Sequence, residues 1–368
     1  MKIRCARDQL YEAIQTVQRA VSGRSTLPIL NNILLEAQGD GLSLTAYDLE
    51  FGIECRVEVT VDAEGGITIP ARILAEVVGA LPDAEITLTV DDQQVVGIRC
   101  GTSTYSIHGL PAEEFPRLPI LGTGATADIA RNDLRTLIRS TAFASSVDET
   151  RPILTGVLTI LDTDALTMIA TDTHRLAWRR AALNAAASEP ASAIVPGRVY
   201  GEILRIVGSS DADTATIQIC ESQAQFRLGT VSVQSRLIDG EFPNWQRVVP
   251  AQQTISVATE LEVLRQAIRR ASIVAREDAN KVIFAAEADG LTITADSQEI
   301  GSAREEVAAT IEGGPIRIGF NARYFLDALN VIDAEEVQLG LNGPVESGII
   351  TPVGSDDYRY VLMPMQLS

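Results

Sequence analysis

The chain has 368 residues, of which 46% are hydrophobic and 21% charged, a composition typical of a folded globular protein and not of a disordered or fibrous chain. This length allows two or three domains and excludes a small scaffold held together by disulfides. The formal net charge of −19 disfavours tight attachment of the whole surface to a polyphosphate, so any nucleic-acid function requires a local concentration of basic residues.

Arginine supplies almost all of the positive charge. Only Lys2 and Lys281 are lysines, so 28 of the 30 basic residues are arginines, whose planar guanidinium groups suit contacts to phosphate or carboxylate. The N-terminal residues lack the apolar stretch of a signal peptide, and no run of about 18 apolar residues occurs. We therefore expect a protein of the cytoplasm.

The cysteines indicate neither a zinc site nor a disulfide framework. They are far apart, form no Cys-x-x-Cys pair and have only His108 and His174 to assist them, so we expect no metal and no cofactor. A reducing compartment fits this pattern. The four cysteines are Cys5, Cys55, Cys100 and Cys220.

A pattern of helices and strands recurs three times along the chain. An amphipathic helix precedes an alternating strand in each copy, and the strand alanines Ala46, Ala170 and Ala295 are 124 and 125 positions apart. A second strand then leads into a second helix, whose first turn carries an arginine. These arginines, 126 and 125 positions apart, are Arg72, Arg198 and Arg323. The pair Phe115-Pro116 recurs 127 positions later as Phe242-Pro243.

This triplication predicts an α+β fold of three similar repeat domains, each with two helices packed on antiparallel sheets. Pro-rich stretches near residues 117–124 and 247–253 are the predicted linkers. We therefore place the domains at residues 1–122, 123–250 and 251–368. Chance similarity among amphipathic elements is the alternative, but several independent markers keep one period and one order.

Two segments carry possible catalytic or cofactor signals. Gly122–Ala127 matches the dinucleotide fingerprint Gly-x-Gly-x-x-Ala, but it follows two prolines and precedes a strand, so we interpret it as a linker. Thr171–Leu176 contains His174 near Asp172, which could be a base oriented by a carboxylate. We favour instead a turn capped by Asp172; a border of a peptide-binding pocket is a third interpretation.

Arginines concentrate on the helices of all three copies, whereas much of the acidic charge lies in strands and loops. Charge on one helix is usually a solvated face, but the recurrence allows a net-acidic protein to carry one basic surface. Aromatic content is only 5%, which favours contact to a nucleic-acid backbone over stacking on bases. The chain ends in an apolar run, Val361–Leu367, which is either a core strand or part of a groove for several partners.

Five motifs resemble one protein family over the full length of the chain. They are Arg24–Leu30, Ala170–Ala177, Asp239–Pro243, Gly319–Asn321 with Tyr324, and Tyr360–Met365. The sequence is similar to the bacterial sliding clamps, the β subunits of DNA polymerase III. The resemblance implies a head-to-tail homodimeric ring without enzymatic activity, which encircles duplex DNA and tethers the replicative polymerase.

The resemblance also implies a pocket between the second and third domains for short linear motifs of the polymerase, the clamp loader and repair proteins. The matching positions are Leu154, Thr171, His174, Arg175, Leu176, Pro243, Arg247, Val248, Asn321, Tyr324, Val345, Ser347, Val361, Met363, Pro364 and Met365. Two positions depart from the family: Thr173 stands where glycine is usual, and Gln366 where arginine is common.

The resemblance also implies positions that contact DNA and positions at the joint between two chains. Arg24 matches a DNA-contacting position, whereas Pro152 and Ile153 replace tyrosines that sometimes contact DNA. The candidate DNA contacts are Arg24, Arg72, Arg135, Arg139, Arg198, Arg205, Arg269 and Arg323. The apolar dimer-interface positions are Tyr105, Ile107, Ile273 and Val274. The competing hypotheses are a scaffold of the same fold that does not bind DNA and a hydrolase that uses Asp172 and His174.

Overall fold

The computed structural model describes residues 1–21, 27–276 and 278–367. Within them the chain repeats one order of elements three times, with an extra edge strand in the first and third copies. The first repeat contains helices α1 (Arg7–Val17) and α2 (Ala71–Ala80) and strands β1 (Lys2–Ala6), β2 (Asn32–Gln38), β3 (Gly41–Tyr47), β4 (Phe51–Glu58), β5 (Thr60–Ala63), β6 (Gly65–Pro70), β7 (Glu85–Val90), β8 (Val95–Cys100) and β9 (Ser103–His108).

The second and third repeats follow the same plan. The second contains α3 (Arg131–Thr141), α4 (Gly197–Ser209), β10 (Ala125–Ala130), β11 (Gly156–Leu161), β12 (Ala165–Thr171), β13 (Arg175–Ala182), β14 (Ala191–Pro196), β15 (Thr214–Ile219), β16 (Gln223–Leu228) and β17 (Val231–Arg236). The third contains α5 (Leu261–Ala275), α6 (Ala322–Leu329), β18 (Ile255–Glu260), β19 (Lys281–Glu287), β20 (Gly290–Ser297), β21 (Gly301–Val307), β22 (Thr310–Glu312), β23 (Ile316–Asn321), β24 (Glu336–Leu341), β25 (Gly348–Pro352) and β26 (Tyr358–Leu362).

Short 3-10 helices complete the described elements. They are Gln18–Ala20, Pro28–Asn31, Ala112–Glu114, Ala142–Ala144, Pro152–Thr155 and Trp245–Arg247. The α+β class with three repeats is confirmed, while the domain boundaries at 122 and 250 stay predictions. No helix of the described residues is long and apolar enough to cross a bilayer.

The middle repeat is divided between two structural units. The first unit comprises Met1–Asn132, Asn184–Glu189 and Arg198–Leu237, and the second comprises Asp133–Leu183, Pro190–Gly197 and Ile238–Ser368. This division follows the sheets, because strands of the second repeat pair with strands of the first repeat in one unit and of the third repeat in the other. Local hydrophobic periodicity says nothing about such pairing between repeats.

The first unit has two antiparallel sheets. One has the order β5-β1-β7-β8-β9, and the other the order β10-β15-β16-β17-β4-β3-β2-β6. In the larger sheet β17 of the second repeat pairs with β4 of the first, so that Val233 lies opposite Ile53. This pairing satisfies main-chain groups that each repeat by itself would leave unpaired at a sheet edge.

The second unit also has two antiparallel sheets, of orders β14-β11-β12-β13-β26-β25-β24-β18-β22 and β21-β20-β19-β23. Here β26 of the third repeat pairs with β13 of the second, and Tyr360 lies opposite Ala177. The helices pack one apolar stripe onto the sheets, as their periodicity predicts: Leu134, Leu137 and Ile138 of α3 are buried. Their opposite faces therefore remain available to solvent and ligands.

Candidate functional site

A cavity of about 200 Å³ lies in the second unit, beside the pairing of β13 with β26. Its wall is largely apolar, with threonine side chains and one guanidinium group at its border, which suits a ligand that inserts apolar side chains. The lining residues are Leu154, Thr171, Thr173, Arg175, Leu176, Pro243, Trp245, Val248, Val361 and Met363.

The turn between β12 and β13 borders this cavity and is fixed by its own side chains. The Asp172 Oδ1 atom accepts hydrogen bonds from the main-chain N–H groups of His174 at 3.0 Å and Arg175 at 3.1 Å. The Thr171 hydroxyl donates to the Arg175 carbonyl at 2.6 Å. Asp172 therefore caps the turn, which is the interpretation that we favoured from the sequence.

Arg175 is the centre of a buried network. Its Nε donates to Asp172 at 2.9 Å, one terminal nitrogen donates to Asp327 of α6 at 2.5 Å, and the other donates to the Phe143 carbonyl at 2.9 Å. The guanidinium also lies 4.4 Å from the ring centroid of Tyr324, and its side chain is only 10% exposed. Arg175 therefore donates its hydrogen bonds to partners within the chain and holds the elements around the cavity in position.

The electrostatics of this network keep the guanidinium charged. Burial by itself lowers the pKa of Arg175, but Tyr360, Asp327 and Asp172 outweigh burial and raise that pKa above its ordinary value. Burial raises the pKa of the Tyr360 phenol, against the opposing influence of Arg175. The Tyr360 hydroxyl stays protonated at neutral pH and donates to the Tyr324 carbonyl at 2.9 Å.

His174 belongs to the rim of the site. Its ring stacks on Tyr324 with 6.4 Å between centroids and an interplanar angle of 20°. Tyr324 is held in turn by Asn321, whose side chain caps α6 by accepting its main-chain N–H at 3.3 Å. Both oxygens of Asp172 are engaged by main-chain N–H groups and by Arg175, so Asp172 is not free to orient His174 as the hydrolase hypothesis requires.

A second cavity of about 410 Å³ shares Val248 and Met363 with the first. Arg247 and Ser347, both predicted from the sequence, line this second cavity and not the first. Pro250, Ala251, Asn342 and Glu346 complete its described lining. The site therefore consists of a small apolar cavity that continues into a wider, more polar one.

Eight of the sixteen predicted pocket residues line the 200 Å³ cavity. They are Leu154, Thr171, Arg175, Leu176, Pro243, Val248, Val361 and Met363. Of the others, Val345 is 79% exposed, Pro364 is half-buried, and the Met365 N–H donates to the Gly319 carbonyl at 2.8 Å. The list omitted Thr173 and Trp245, which the structure brings to the wall. Trp245 could have been suspected from its position two residues after Pro243.

The backbone at Thr173 is strained, because its φ of +81° lies in the left-handed region. A β-branched residue is disfavoured there, and glycine is the residue that adopts this conformation readily. The departure from the family at this position therefore falls on the one residue of the turn whose conformation favours glycine.

Thr173→Gly is expected to raise the free energy of unfolding by about 1 kcal/mol. Relief of left-handed strain, about 1–3 kcal/mol, exceeds the loss of about 0.5–1 kcal/mol that glycine causes through the unfolded chain. Urea unfolding measures the difference. Thr123→Gly in the exposed linker, where φ is ordinary, is the control and should give no gain; an unchanged or lower stability of Thr173→Gly would contradict the strain argument.

The candidate DNA-contacting arginines lie on exposed helix faces, apart from Arg24, which lies outside the described residues. Four have partners within the chain: Arg72 pairs with Glu76 at 2.8 Å, Arg198 with Asp48 at 3.1 Å, and Arg205 with Glu202, while Arg139 donates to the Asn330 carbonyl at 3.2 Å. Arg135, Arg269 and Arg323 are exposed and form no ion pair with any described residue.

The predicted dimer-interface residues lie on one unpaired sheet edge and on a helix that packs beside another. Tyr105 and Ile107 belong to β9, the edge of a sheet in the first unit; Tyr105 is 40% exposed, whereas Ile107 is buried. Ile273 and Val274 belong to α5, which packs on β21, the edge of a sheet in the second unit. Ile273 is 57% exposed and Val274 is half-buried.

Comparison with known proteins agrees with the fold and with the repeat. Family models for the DNA polymerase III beta subunit match the chain in order: the N-terminal domain over residues 1–119, the central domain over 128–244 and the C-terminal domain over 246–366. The Beta sliding clamp of Bacillus subtilis (strain 168) is 34% identical over 377 residues, which cover 100% of both chains.

Solved structures agree. The DNA polymerase sliding clamp of Bacillus subtilis superposes with a TM-score of 0.96 at 34% identity, and the clamp of Pseudomonas aeruginosa bound to griselimycin with 0.94 at 34%; each covers 100% of both chains. Three repeats of this architecture with exposed arginines on their helices define a DNA sliding clamp. The chain belongs to the DNA polymerase III beta subunit family, whose members are processivity factors and not enzymes.

Proposed function

We propose that two copies of this chain close head to tail into a ring around duplex DNA. In this proposal the cavity beside Leu176 and Met363 binds short linear motifs of the replicative polymerase, the clamp loader and repair proteins.

Burial raises the pKa of the Cys5 and Cys55 thiols to about 11, so both stay protonated and unreactive at neutral pH. Free cysteines support a reducing cytoplasm as the site of action.

The register of the two pairings between repeats carries the ring proposal. Strands β9, β17 and β26 hold the same place in the three repeats, as do β4, β13 and β21. When residues are counted along equivalent strands, the pairing of Val233 with Ile53 and that of Tyr360 with Ala177 are the same pairing. The same pairing of strands thus occurs twice within the chain. Strands β9 and β21 are the remaining members of the two sets, and each stands at the edge of its sheet.

The same register predicts the contact between two chains. Tyr105 holds the place of Val233 and Tyr360, and Ala303 that of Ile53 and Ala177. Tyr105 of one chain is therefore expected opposite Ala303 of the partner subunit. Two such contacts close a dimer in which neither β9 nor β21 remains a free edge, as expected for a symmetric assembly.

A cross-linking experiment tests the ring. In a background in which the half-buried Cys220 is replaced by serine, Tyr105→Cys and Ala303→Cys are oxidised to a disulfide, which only directly opposite residues form readily. The cross-linked ring should remain on nicked circular DNA at high salt and should slip off once that DNA is linearised. Ser103→Cys with Ala303→Cys is two positions out of register and serves as the control. Equal retention on circular and linear DNA would contradict encirclement.

The helix arginines are proposed to contact phosphates without reading sequence. A sliding ring requires weak contacts, and ion pairs with Glu76, Asp48 and Glu202 already moderate several of these cations. The three arginines that form no ion pair with a described residue are therefore expected to account for most of the salt dependence of DNA binding. They are Arg135, Arg269 and Arg323.

Replacing Arg135, Arg269 and Arg323 together by glutamine should weaken DNA binding and flatten its salt dependence. Because a dimer loses six cations, the slope of log K against log salt should fall by at most about five. Affinity measured over a series of salt concentrations gives this slope. The matched control replaces three exposed arginines on strands, Arg56, Arg99 and Arg227. An equal loss in both variants would show that net charge alone governs binding.

The composition of the cavity supports a peptide ligand. Leu154, Leu176 and Val361 are buried in its wall, and Met363, 40% exposed, can adapt to different side chains. The neighbouring cavity supplies Arg247 and Ser347 as polar partners. An extended segment with apolar anchors and a polar continuation therefore fits both cavities.

A further inference from the structure

The 200 Å³ cavity beside Leu176 and Met363 is called the motif cavity below, because it is proposed to bind linear motifs. The elements that form it have counterparts in the first unit. The Asp48 Oδ1 atom accepts the main-chain N–H groups of Glu50 at 2.9 Å and Phe51 at 2.7 Å, the same bonds that fix the turn at residues 172–175. Leu49 has a φ of +78°, close to the +81° of Thr173. The turn beside the motif cavity is therefore present twice in the chain.

The strand that borders this turn is also repeated. The Arg236 N–H donates to the Glu50 carbonyl at 2.8 Å, and the Met363 N–H donates to the His174 carbonyl at 2.9 Å. These residues hold equivalent places in the two registers. The first unit thus contains a second copy of the turn and the strand that border the motif cavity.

The Leu118 side chain fills the space beside this second copy of the turn and the strand. It packs against a buried cluster that includes Tyr47 and Phe115. It also lies directly on Gly52, since a Cβ atom added to Gly52 would be 2.3 Å from the Leu118 Cδ2 atom. The residue equivalent to Gly52 is Leu176, which forms part of the wall of the open cavity. Glycine here gives Leu118 the space that it occupies.

Polar contacts hold the same linker on either side of Leu118. The Pro119 carbonyl accepts a hydrogen bond from the Gln234 amide at 2.7 Å. Gln234 is buried and holds the place of Val361, an apolar wall residue of the open cavity. On the other side, Arg117 donates to Glu36 at 2.6 Å. The linker is therefore bound as an extended segment with one apolar anchor.

We infer that residues 117–119 are an intramolecular ligand that closes a second motif site, whereas their counterparts at 244–246, with Trp245 in the wall, leave the cavity of the second unit open, so each chain offers one open site instead of two. When Leu118 is removed, the vacated site accepts an apolar side chain of a linear peptide. The class of ligand rests on the proposed function of the open cavity, whereas the closure by Leu118 does not.

Gly52→Ala tests the closure. The added methyl group must displace the Leu118 Cδ2 atom and crowds the Tyr47 ring at 3.1 Å, while the backbone of this β4 residue accepts alanine because its φ is ordinary. Trypsin should then cut the Arg117–Leu118 bond at least tenfold faster, with little change at other sites detected by mass spectrometry. Gly201→Ala on α4, where a Cβ meets nothing within 4 Å, is the control. An unchanged rate at Arg117 would overturn the closure.

Leu118→Ala tests the site. The probe is a fluorescein-labelled peptide of residues 114–121 of this chain, and equilibrium dialysis counts the peptides bound at saturation. The variant should bind one more peptide per chain than the parent protein does. Equal numbers in the two proteins, including none in either, would overturn the inference. Failure of partner motifs to bind the parent protein would overturn the proposed function instead, without changing the trypsin result.

Discussion

Replacing Arg175 with alanine is expected to lower the free energy of unfolding by about 3 kcal/mol, because it leaves two carboxylates without the cation that they share. Asp172 loses its bond at 2.9 Å and Asp327 its bond at 2.5 Å. The carbonyl of Phe143 also loses its donor. For a unit of this size the midpoint of thermal unfolding should fall by about 6–12 °C.

The control is Arg180→Ala on the same strand. Arg180 is 44% exposed and pairs with Asp164, which is 80% exposed, so its loss should change stability by less than about 1 kcal/mol. Arg175→Lys should recover little, because one ammonium group cannot reach the three separate acceptors of a guanidinium fork. A stability of Arg175→Ala within about 0.5 kcal/mol of the parent would contradict the central role of this residue.

Ile273→Asp is expected to convert the ring to monomers, with at least a 100-fold weaker dimer, or about 3 kcal/mol. The side chain is 57% exposed in the single chain, so aspartate should leave the fold of the protomer intact. In the proposed ring the same carboxylate would be buried without a partner. Sedimentation at low concentration measures the shift, and retention on circular DNA should be lost with it.

Val353→Asp is the matched control for this experiment. Val353 is 44% exposed, belongs to the same repeat and follows β25, which lies in the other sheet of the unit from β21, so its replacement should preserve the dimer. Unaltered sedimentation of Ile273→Asp would place the joint elsewhere. Loss of structure measured by circular dichroism would show instead that Ile273 contributes to the fold.

Much of the fold was accessible from the sequence because it depends on local patterns. The spacing of Leu134, Leu137 and Ile138 predicted the buried stripe of α3, and the period near 125 predicted three repeats. The role of Asp172 as a turn cap was also accessible, since its acceptors and donors are two and three residues apart. Residues close in sequence are close in space whatever the tertiary structure does.

The site was less accessible, because its walls come from distant segments. Met363 reaches Leu154 and Trp245 through the pairing of β13 with β26, and their sequence separations carry no periodic signal. Arg175 was predicted as a pocket residue, but its structural partners Phe143 and Asp327 follow from no local pattern. Its role inside the wall is therefore a tertiary finding.

The sequence by itself determined the class of fold, the number of repeats, the helical location of the arginines and the family, because each of these is set by residue type and spacing. Only the tertiary structure decided which strands pair between repeats, which cations are already neutralised, and which copy of the cavity is open. The physical reason is that one framework was repeated, whereas single residues such as Gly52 and Leu176 decide by their volume whether the chain fills its own cavity or leaves it for a partner.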